Sequence, residues 1–434
     1  MGFSDYPMEN RLKEFEEQVR QNYRWNFGVN AADFALYILA LSFASSLTIL
    51  PAFVSKYTTS NVIIGLIPTI NVIGWLMPQL AAAKYVEKFD KKKRFVVIVG
   101  IWERLPWLLV TIAVVLLRNS QPFWILLAFF VCYAMFCFAG GINTPAWLDM
   151  IGKIIPENRR GQFFGISNLI GNGVGVVGAL GAGYLLENMA VPWNFAICFA
   201  CAFISMSISL GFVAATRETA YPVIKERSSL NDYLHQLAII CKTKRNYLFF
   251  LISIIFMSFN SMASGFFTVH AIGKLQLTGG AIGRFTAITL FFQTISNPLW
   301  GKWGDRSGHK NVMTASALGM VLSAITAAYA NSMMGFYAVF ALIGASISAD
   351  TISRLSIVLE FSKPEERPTY IGLTNTLRAP FSAIAPIIGG LLSDRFSRSF
   401  VFILTASIIS LGLLFLIFLV KEPRKQKIPQ GQFD

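Results

Sequence analysis

The chain has 434 residues, of which 54% are apolar and only 14% are charged, and its formal net charge is +14. Soluble domains carry roughly 25% charged residues, so this composition and a mean hydropathy of +0.55 exclude a soluble enzyme. The positive charge does not indicate nucleic-acid binding. Most Lys and Arg residues lie at the chain ends and in alternate loops between long apolar runs, which is typical of a membrane protein whose basic loops face the cytoplasm.

The chain begins with a polar segment, 1–27, in which 8–24 predicts an amphipathic helix beside an interfacial Trp25. Apolar runs of about 20 residues can cross a bilayer as helices, and twelve such spans follow. They are predicted at 28–51, 61–83, 95–117, 122–147, 162–186, 191–214, 246–270, 281–301, 311–330, 335–359, 369–393 and 398–420.

These spans predict four further regions of the chain. Two six-helix bundles occupy 28–214 and 246–420, and a basic cytoplasmic linker at 215–245 joins them. A polar, disordered tail at 421–434 ends the chain. We expect both termini in the cytoplasm, because the basic loops share that side.

Two short motifs invite an interpretation as cofactor or metal sites. The letters "GVGVVG", Gly173–Gly178, match a dinucleotide fingerprint but lie within an apolar span, where small residues serve helix packing. Cys198 and Cys201 lie in another apolar span without His or acidic ligands nearby. The sequence therefore predicts no cofactor, no metal and no enzymatic step.

A charged loop, "GKWGDRSGHK" from Gly301 to Lys310, separates two apolar spans, and a modified copy, "AKYVEKFDKK", occurs earlier. The loop resembles the cytoplasmic signature of the major facilitator superfamily of transporters. We expect Gly301 to allow close helix approach, Gly308 to form a tight turn, and Asp305 to accept hydrogen bonds from a neighbouring helix N-terminus. The predicted cytoplasmic gate residues are Gly301, Asp305, Arg306, Gly308, Lys310, Ala83, Glu87, Lys88 and Asp149.

A second pair of similar segments supports a tandem duplication. "PENRRGQFFG" from Pro156 is repeated as "PEERPTYIG" from Pro364, and Arg217-Glu218 after span 6 is repeated as Lys421-Glu422 after span 12. The resemblance implies an all-α integral membrane fold, with twelve transmembrane helices in two pseudo-symmetric six-helix bundles around one midplane site.

Span 11 contains "APIIGG", Ala385–Gly390, which is similar to the G-P-x-x-G-G signature of drug antiporters in this superfamily. That signature normally lies in span 5, where this chain has Ala179 in place of the proline. Helix packing by small residues is the alternative explanation.

Ionisable residues within apolar spans are costly and are candidates for function. Asp350 and Arg354 lie four residues apart on one face of span 10, and Arg378 lies at a similar depth in span 11. We expect these three charges to meet. The full set predicted to bind solute or couple protons is Asp350, Arg354, Arg378, Asn143, Asn260 and Gln293.

Other charged residues are assigned supporting roles. Glu103 and Arg104 in span 3 are expected to brace span 4 through Asp149. Asp33 and Glu157 are expected, like Asp149, to belong to the cytoplasmic gate.

The resemblance implies a monomeric secondary transporter in the plasma membrane, with both termini cytoplasmic. Such a protein moves a small organic solute, anionic or amphiphilic given the buried arginines, by proton-coupled alternating access. Two alternatives stay open at this point: a transport-inactive receptor or scaffold on the same fold, and an integral membrane enzyme. Its partners would be the solute, protons and the lipid bilayer, with no nucleic acid.

Overall fold

The computed structural model describes residues 8–86, 89–220, 244–362 and 367–426, and every regular element in these ranges is helical. The helices are α1 Met8–Phe43, α2 Ile49–Val54, α3 Asn61–Val86, α4 Lys93–Leu116, α5 Pro122–Ile154, α6 Arg160–Asn188, α7 Trp193–Ala214, α8 Arg245–Ser258, α9 Ser261–Ser264, α10 Phe267–Leu275, α11 Gly279–Ser307, α12 His309–Tyr329, α13 Met333–Phe361, α14 Arg367–Arg395 and α15 Arg398–Phe418. The predicted all-α membrane fold is confirmed.

Within the described residues, 11 helical stretches are long and apolar enough to cross a membrane. The predicted span 8 is not among these 11 stretches, because its composition is too polar. It corresponds to α11, which has 29 residues like several of the spanning helices and packs beside α12 and α13. Its hydropathy is lowered by polar side chains, among them Arg284 and Gln293.

The sequence predicted a separate amphipathic helix in the N-terminal segment, but the structure does not contain one. Helix α1 runs without a break from Met8 to Phe43, so the amphipathic stretch and span 1 are continuous. Contacts with the end of α7 fix this part of α1: the Trp25 indole donates to the carbonyl of Ala215 at 2.9 Å, and Arg217 lies over its ring.

The chain forms two compact units. Unit 1 comprises residues 1–45 and 70–227, and unit 2 comprises 46–69 and 228–434. Residues 46–69, which belong by sequence to the first repeat, thus belong by their contacts to unit 2.

Close helix packing in unit 1 depends on glycine. A Cβ on Gly74 would lie 2.5 Å from the Cβ of Cys137, and one on Gly141 would lie 2.2 Å from the carbonyl oxygen of Gly74. These positions bring the backbones of α3 and α5 together, as small residues do between membrane helices.

Spans 1 and 7 are broken helices, whereas the sequence predicted continuous spans. Span 1 is divided between α1 and α2, and span 7 is divided into α8, α9 and α10. The break in span 7 is rich in hydroxyl groups, which compete for backbone partners. The Ser261 hydroxyl lies within hydrogen-bonding distance of the carbonyls of Ser258, at 3.0 Å, and Ser382, at 2.8 Å.

An asparagine clasp occurs once in each sequence repeat. The Asn26 amide donates to the carbonyl of Arg217 and accepts from its N–H, both at 2.9 Å. Asn246 makes the same pair of bonds with Lys421, at 2.9 and 2.8 Å. Each clasp ties the start of the first span of a repeat to the chain leaving its last span.

The glutamates that follow the clasped residues occupy matching places. Glu218 accepts from the backbone N–H groups of Lys92 and Lys93, at 2.8 and 2.7 Å, where α4 begins. Glu422 interacts with the backbone N–H of Lys310 near the start of α12. Each carboxylate therefore lies at a helix N-terminus, where negative charge is stabilising.

We predict that Asn26→Ala lowers the free energy of unfolding by about 1–2 kcal/mol, because it removes both hydrogen bonds that the buried Asn26 side chain makes with the part-buried backbone of Arg217. Thermal unfolding in detergent measures the loss. Asn188→Ala is the matched control, since the exposed Asn188 amide bonds only to its own helix. Equal unfolding midpoints for the two variants would show that the clasp contributes nothing.

Candidate functional site

The ion pair predicted in span 10 is present. Arg354 Nη2 lies 3.0 Å from Asp350 Oδ2, one helical turn apart on α13. Both side chains are largely buried, with 24% of Arg354 and 17% of Asp350 exposed. An ion pair at this depth compensates two charges that would each be costly alone.

Arg378 does not join this pair, contrary to the sequence prediction. Among the described residues, no hydrogen bond or ion pair links Arg378 on α14 to Asp350 or Arg354. Counting residues along a span gives the depth of a side chain but not the direction in which the helix presents it.

The three neutral candidates have separate locations. Asn143 lies on α5 in unit 1, whereas Asn260 lies in the break of span 7 and Gln293 on α11, both in unit 2. Asn260 is the N-cap residue of α9; its backbone is right-handed helical, and its N–H donates to the carbonyl of Met257 at 3.0 Å. Broken helices with exposed backbone groups form solute and ion sites in many transporters.

A buried polar network in unit 1 surrounds Glu103. Its carboxylate accepts from the Tyr37 hydroxyl at 2.7 Å, the Asn143 amide at 3.1 Å and Arg104 Nη1 at 2.9 Å. Arg104 also donates to the carbonyls of Met206 and Gly100, at 2.9 and 3.0 Å. The network joins helices α1, α4, α5 and α7 through one charge pair.

The expected brace between Glu103 and Asp149 is wrong. Asp149 instead lies 3.1 Å from the ammonium of Lys153 and 3.7 Å from that of Lys92. Glu103 bonds to Asn143, because Asn143 lies deeper in α5 than Asp149 does. The polar residue Tyr37 at a corresponding depth of span 1 was the sequence signal for this network.

Asp33, which the sequence assigned to the cytoplasmic gate, lies inside unit 1 with 4% of its surface exposed. Its carboxylate accepts from the Ser209 hydroxyl at 2.5 Å and from the Trp147 indole at 3.2 Å. Within the described part of the chain, no cation lies within ion-pair distance of it. Asp33 is therefore a buried carboxylate supported by neutral donors.

The Gly301–Lys310 loop is shorter than its sequence suggested, since α11 continues to Ser307 and α12 begins at His309. Gly308, with φ +93°, forms the predicted tight turn. Gly301 does not mediate close helix packing, because a Cβ there would have no neighbour within 4 Å. Gly304 does so instead, because a Cβ on Gly304 would lie 2.7 Å from the His309 ring.

Glu422, and not Asp305, is the carboxylate that accepts from the N-terminus of the neighbouring helix. The Asp305 side chain is exposed and makes no hydrogen bond among the described residues, whereas its backbone carbonyl accepts from Arg424 at 3.0 Å. Arg424 also pairs with Glu360 at 2.5 Å. Lys310 Nζ donates to the carbonyl of Ile417 at 2.9 Å, while Arg306 is exposed.

Burial shifts the pKa values of two charged residues near these loops. It raises the pKa of Glu422, and the neighbouring Glu360 carboxylate adds to that shift, while Arg424 and Lys310 oppose it. Burial also lowers the pKa of Lys92, whose ammonium donates to the carbonyls of Val86, at 2.5 Å, and Phe89.

In the first-repeat loop, Glu87 and Lys88 lie outside the described residues, and so does the side chain of Ala83. Throughout the described part of the chain, no group of His, Cys, Asp and Glu is arranged to hold a metal ion.

The model of the Major Facilitator Superfamily matches residues 32–283 and 248–433, so the chain belongs to this family and is a multi-pass membrane protein. Among curated relatives, it is 27% identical over 153 residues to the multidrug resistance protein MdtG of Rahnella sp. (strain Y9602), covering 35% of this chain and 36% of the relative. The MdtG protein of Klebsiella pneumoniae (strain 342) is 28% identical over 141 residues, covering 32% and 34%. The chain thus spans about a third of the length of these relatives.

Solved structures show the same fold at low identity. The nucleoside transporter NupG aligns with a TM-score of 0.67 and 14% identity, covering 91% of this chain and 99% of that chain. A POT family transporter in complex with 5-aminolevulinic acid aligns with a TM-score of 0.68 and 14% identity, covering 92% and 96%.

Proposed function

We propose that this protein is a secondary active transporter that moves a small organic solute across the membrane by alternating access. Family membership supports transport, and the buried ion pair between Asp350 and Arg354 supports proton coupling. The proposed location is the bacterial inner membrane, with both termini cytoplasmic, because the basic loops lie on one side.

The Asp350–Arg354 pair offers a simple coupling mechanism. While Arg354 stays at 3.0 Å, it compensates the ionised carboxylate of Asp350. An anionic group of the solute would compete for the same guanidinium, and the carboxylate that loses its partner inside the membrane would take up a proton. Solute binding and proton binding would then favour each other.

Export of drug-like amphiphilic compounds is the second candidate. It is favoured by the similarity to proteins named for multidrug resistance. The two candidates differ in the expected solute: a compound with an anionic group would compete for Arg354, whereas an uncharged amphiphile would not. A transport-inactive scaffold is distinguished from both by the absence of solute flux in vesicles.

We predict that Asp350→Asn still binds solute but no longer responds to a pH gradient, because the amide cannot exchange a proton. Solute-driven proton movement in reconstituted vesicles should fall to the level of protein-free vesicles. Asp90→Asn is the control, since Asp90 is an exposed loop carboxylate. Normal proton movement in the Asp350→Asn variant would assign the pair a structural role only.

A further inference from the structure

The break of span 7 faces α14 with two backbone carbonyls that lack a helical donor. The carbonyl of Ser258 lies at the end of α8, and the N–H of Met262, four residues later, donates to Phe259 instead, at 2.9 Å. The carbonyl of Ser382 lies on α14, where the residue four positions later is Pro386, which has no N–H. Buried backbone carbonyls normally have a partner, so each of these oxygens requires one from outside its own helical ladder.

The hydroxyl of Ser261 is the partner that the two carbonyls share. Ser261 Oγ lies 3.0 Å from the Ser258 oxygen and 2.8 Å from the Ser382 oxygen. A serine hydroxyl has one hydrogen, so it can satisfy only one of these carbonyls at a time. The Ser382 residue is 3% exposed, and its own Oγ is buried without a hydrogen-bond partner among the described residues. Three oxygens thus meet with one hydrogen between them, and a fourth lies unpartnered on one of the same residues.

Backbone packing holds the break against α14. A Cβ on Gly389 would lie 2.5 Å from the carbonyl oxygen of Met262 in α9, so this approach requires glycine. Gly389 and Pro386 both belong to the "APIIGG" segment. The glycine lets the backbones come together, and the proline leaves the Ser382 carbonyl without its helical donor. Oxygens that packing has already placed can bind a ligand without a further cost for ordering them.

An excess of acceptor oxygens at this position favours a cation. Because α8 ends at Ser258, the negative end of its dipole lies at the cluster. Unwound backbone carbonyls and helix C-termini of this kind coordinate Na⁺ in membrane transporters. All four oxygens are neutral, whereas divalent metal ions in proteins bind carboxylates, imidazoles or thiolates, so a monovalent ion is expected. The short separations between the oxygens favour the small Na⁺ over the larger K⁺.

We propose that the break of span 7 binds one Na⁺, through the carbonyl oxygens of Ser258 and Ser382 and the hydroxyl oxygens of Ser261 and Ser382. Ser261 is partly exposed, so the site is open at one side. The bound ion joins the end of α8 and the start of α9 to α14 and fixes the broken span there. This site adds an ion to the proposed transport and does not involve the pair of Asp350 and Arg354.

Sodium binding is measured on the purified protein in detergent, without solute and without a pH gradient. Calorimetric titration with NaCl should show one site per chain, whereas choline chloride at the same ionic strength should show none and KCl should bind more weakly. Because the ion binds only the folded protein, NaCl at about 100 times its dissociation constant should also raise the unfolding midpoint by about 3 °C.

Two variants test the ligands separately. Ser382→Ala removes one ligand oxygen, and Pro386→Ala gives α14 an N–H that donates to the Ser382 carbonyl and so competes with the ion. Each should weaken Na⁺ binding by about tenfold, the usual scale for the loss of one supporting group at a metal site. Ser323→Ala is the matched control, because Ser323 is 0% exposed but its hydroxyl donates within α12, to the carbonyl of Met320 at 2.8 Å.

The site is overturned if the parent protein binds no Na⁺, if NaCl and choline chloride give equal responses, or if either variant binds Na⁺ as tightly as Ser323→Ala does. Water would then satisfy the carbonyls. If Ser382→Ala does not fold, Pro386→Ala decides alone, since it removes no ligand side chain. Because the titration contains no solute, a failure of the proposed transport leaves its result intact.

Discussion

Replacement of Glu103 by Ala should lower the free energy of unfolding by about 3–5 kcal/mol, because it leaves Arg104 as a buried charge without its partner. Arg104 is 5% exposed, so water cannot take over the role of the carboxylate. The Tyr37 hydroxyl and the Asn143 amide would also lose an acceptor. Denaturant or thermal unfolding of the purified protein in detergent measures this loss.

Two milder variants separate the charge from the hydrogen bonds of the network. Glu103→Gln keeps an acceptor for Tyr37 but removes the negative charge. Its free energy of unfolding should therefore lie between that of the parent protein and that of Glu103→Ala. Tyr37→Phe removes one hydrogen bond and should cost about 1 kcal/mol. If Glu103→Ala is no more destabilising than Tyr37→Phe, the Glu103–Arg104 pair does not hold unit 1 together.

Replacement of Gly308 by Ala should destabilise the protein by about 2–4 kcal/mol, of which about 1–3 kcal/mol is the cost of a backbone conformation that favours glycine. The remainder is steric, because the new Cβ would lie 2.3 Å from Glu422 Oε2. The carboxylate would have to leave the start of α12. Thermal unfolding in detergent and the rate of solute turnover measure the consequences.

Gly301→Ala is the matched control within the same loop, since its Cβ would meet nothing within 4 Å and its helical backbone accepts alanine. We expect a change within about 0.5 kcal/mol. The double variant Gly308→Ala/Glu422→Ala removes the clash and the cap together, so it should be less stable than Glu422→Ala alone by only the backbone part of the loss. Equal stabilities of the Gly301→Ala and Gly308→Ala variants would contradict the interpretation of Gly308 as the essential turn.

The structure also changes the expectation for Asp305. The sequence predicted that Asp305 accepts hydrogen bonds from a helix N-terminus, whereas its side chain is exposed and makes no hydrogen bond within the described residues, so Asp305→Asn should remove no helix cap. Glu422 takes the helix-terminal position because the chain after α15 returns to the turn at Gly308. The carboxylate that caps a helix in this loop is therefore distant in sequence.

Much of the fold follows from the sequence alone. The spacing of apolar runs and the distribution of Lys and Arg predicted an all-helical membrane protein, and the repeated segments predicted its internal duplication. The pair of Asp350 and Arg354 could also be predicted, because residues four apart on a helix face the same direction. These features depend on composition and on local helical geometry, and both can be inferred from the sequence without knowledge of tertiary contacts.

Only the tertiary structure decided which side chains meet across helices. Arg378 shares the depth of Asp350 but not its contacts, and Glu103 bonds to Asn143 and Tyr37 on two other helices. Depth follows from counting residues, but the rotation of each helix about its axis depends on packing, including approaches such as that at Gly141, where no Cβ would fit.

The breaks in spans 1 and 7 and the attachment of 46–69 to unit 2 were likewise invisible in the apolar pattern. Hydropathy averages over a whole span, whereas a break requires only a few backbone groups that find partners on a neighbouring helix. For the attachment of 46–69, Asp394 accepts from the first turn of α3 across more than 300 residues of sequence. Long-range partners of this kind are brought together by folding and leave no local signal.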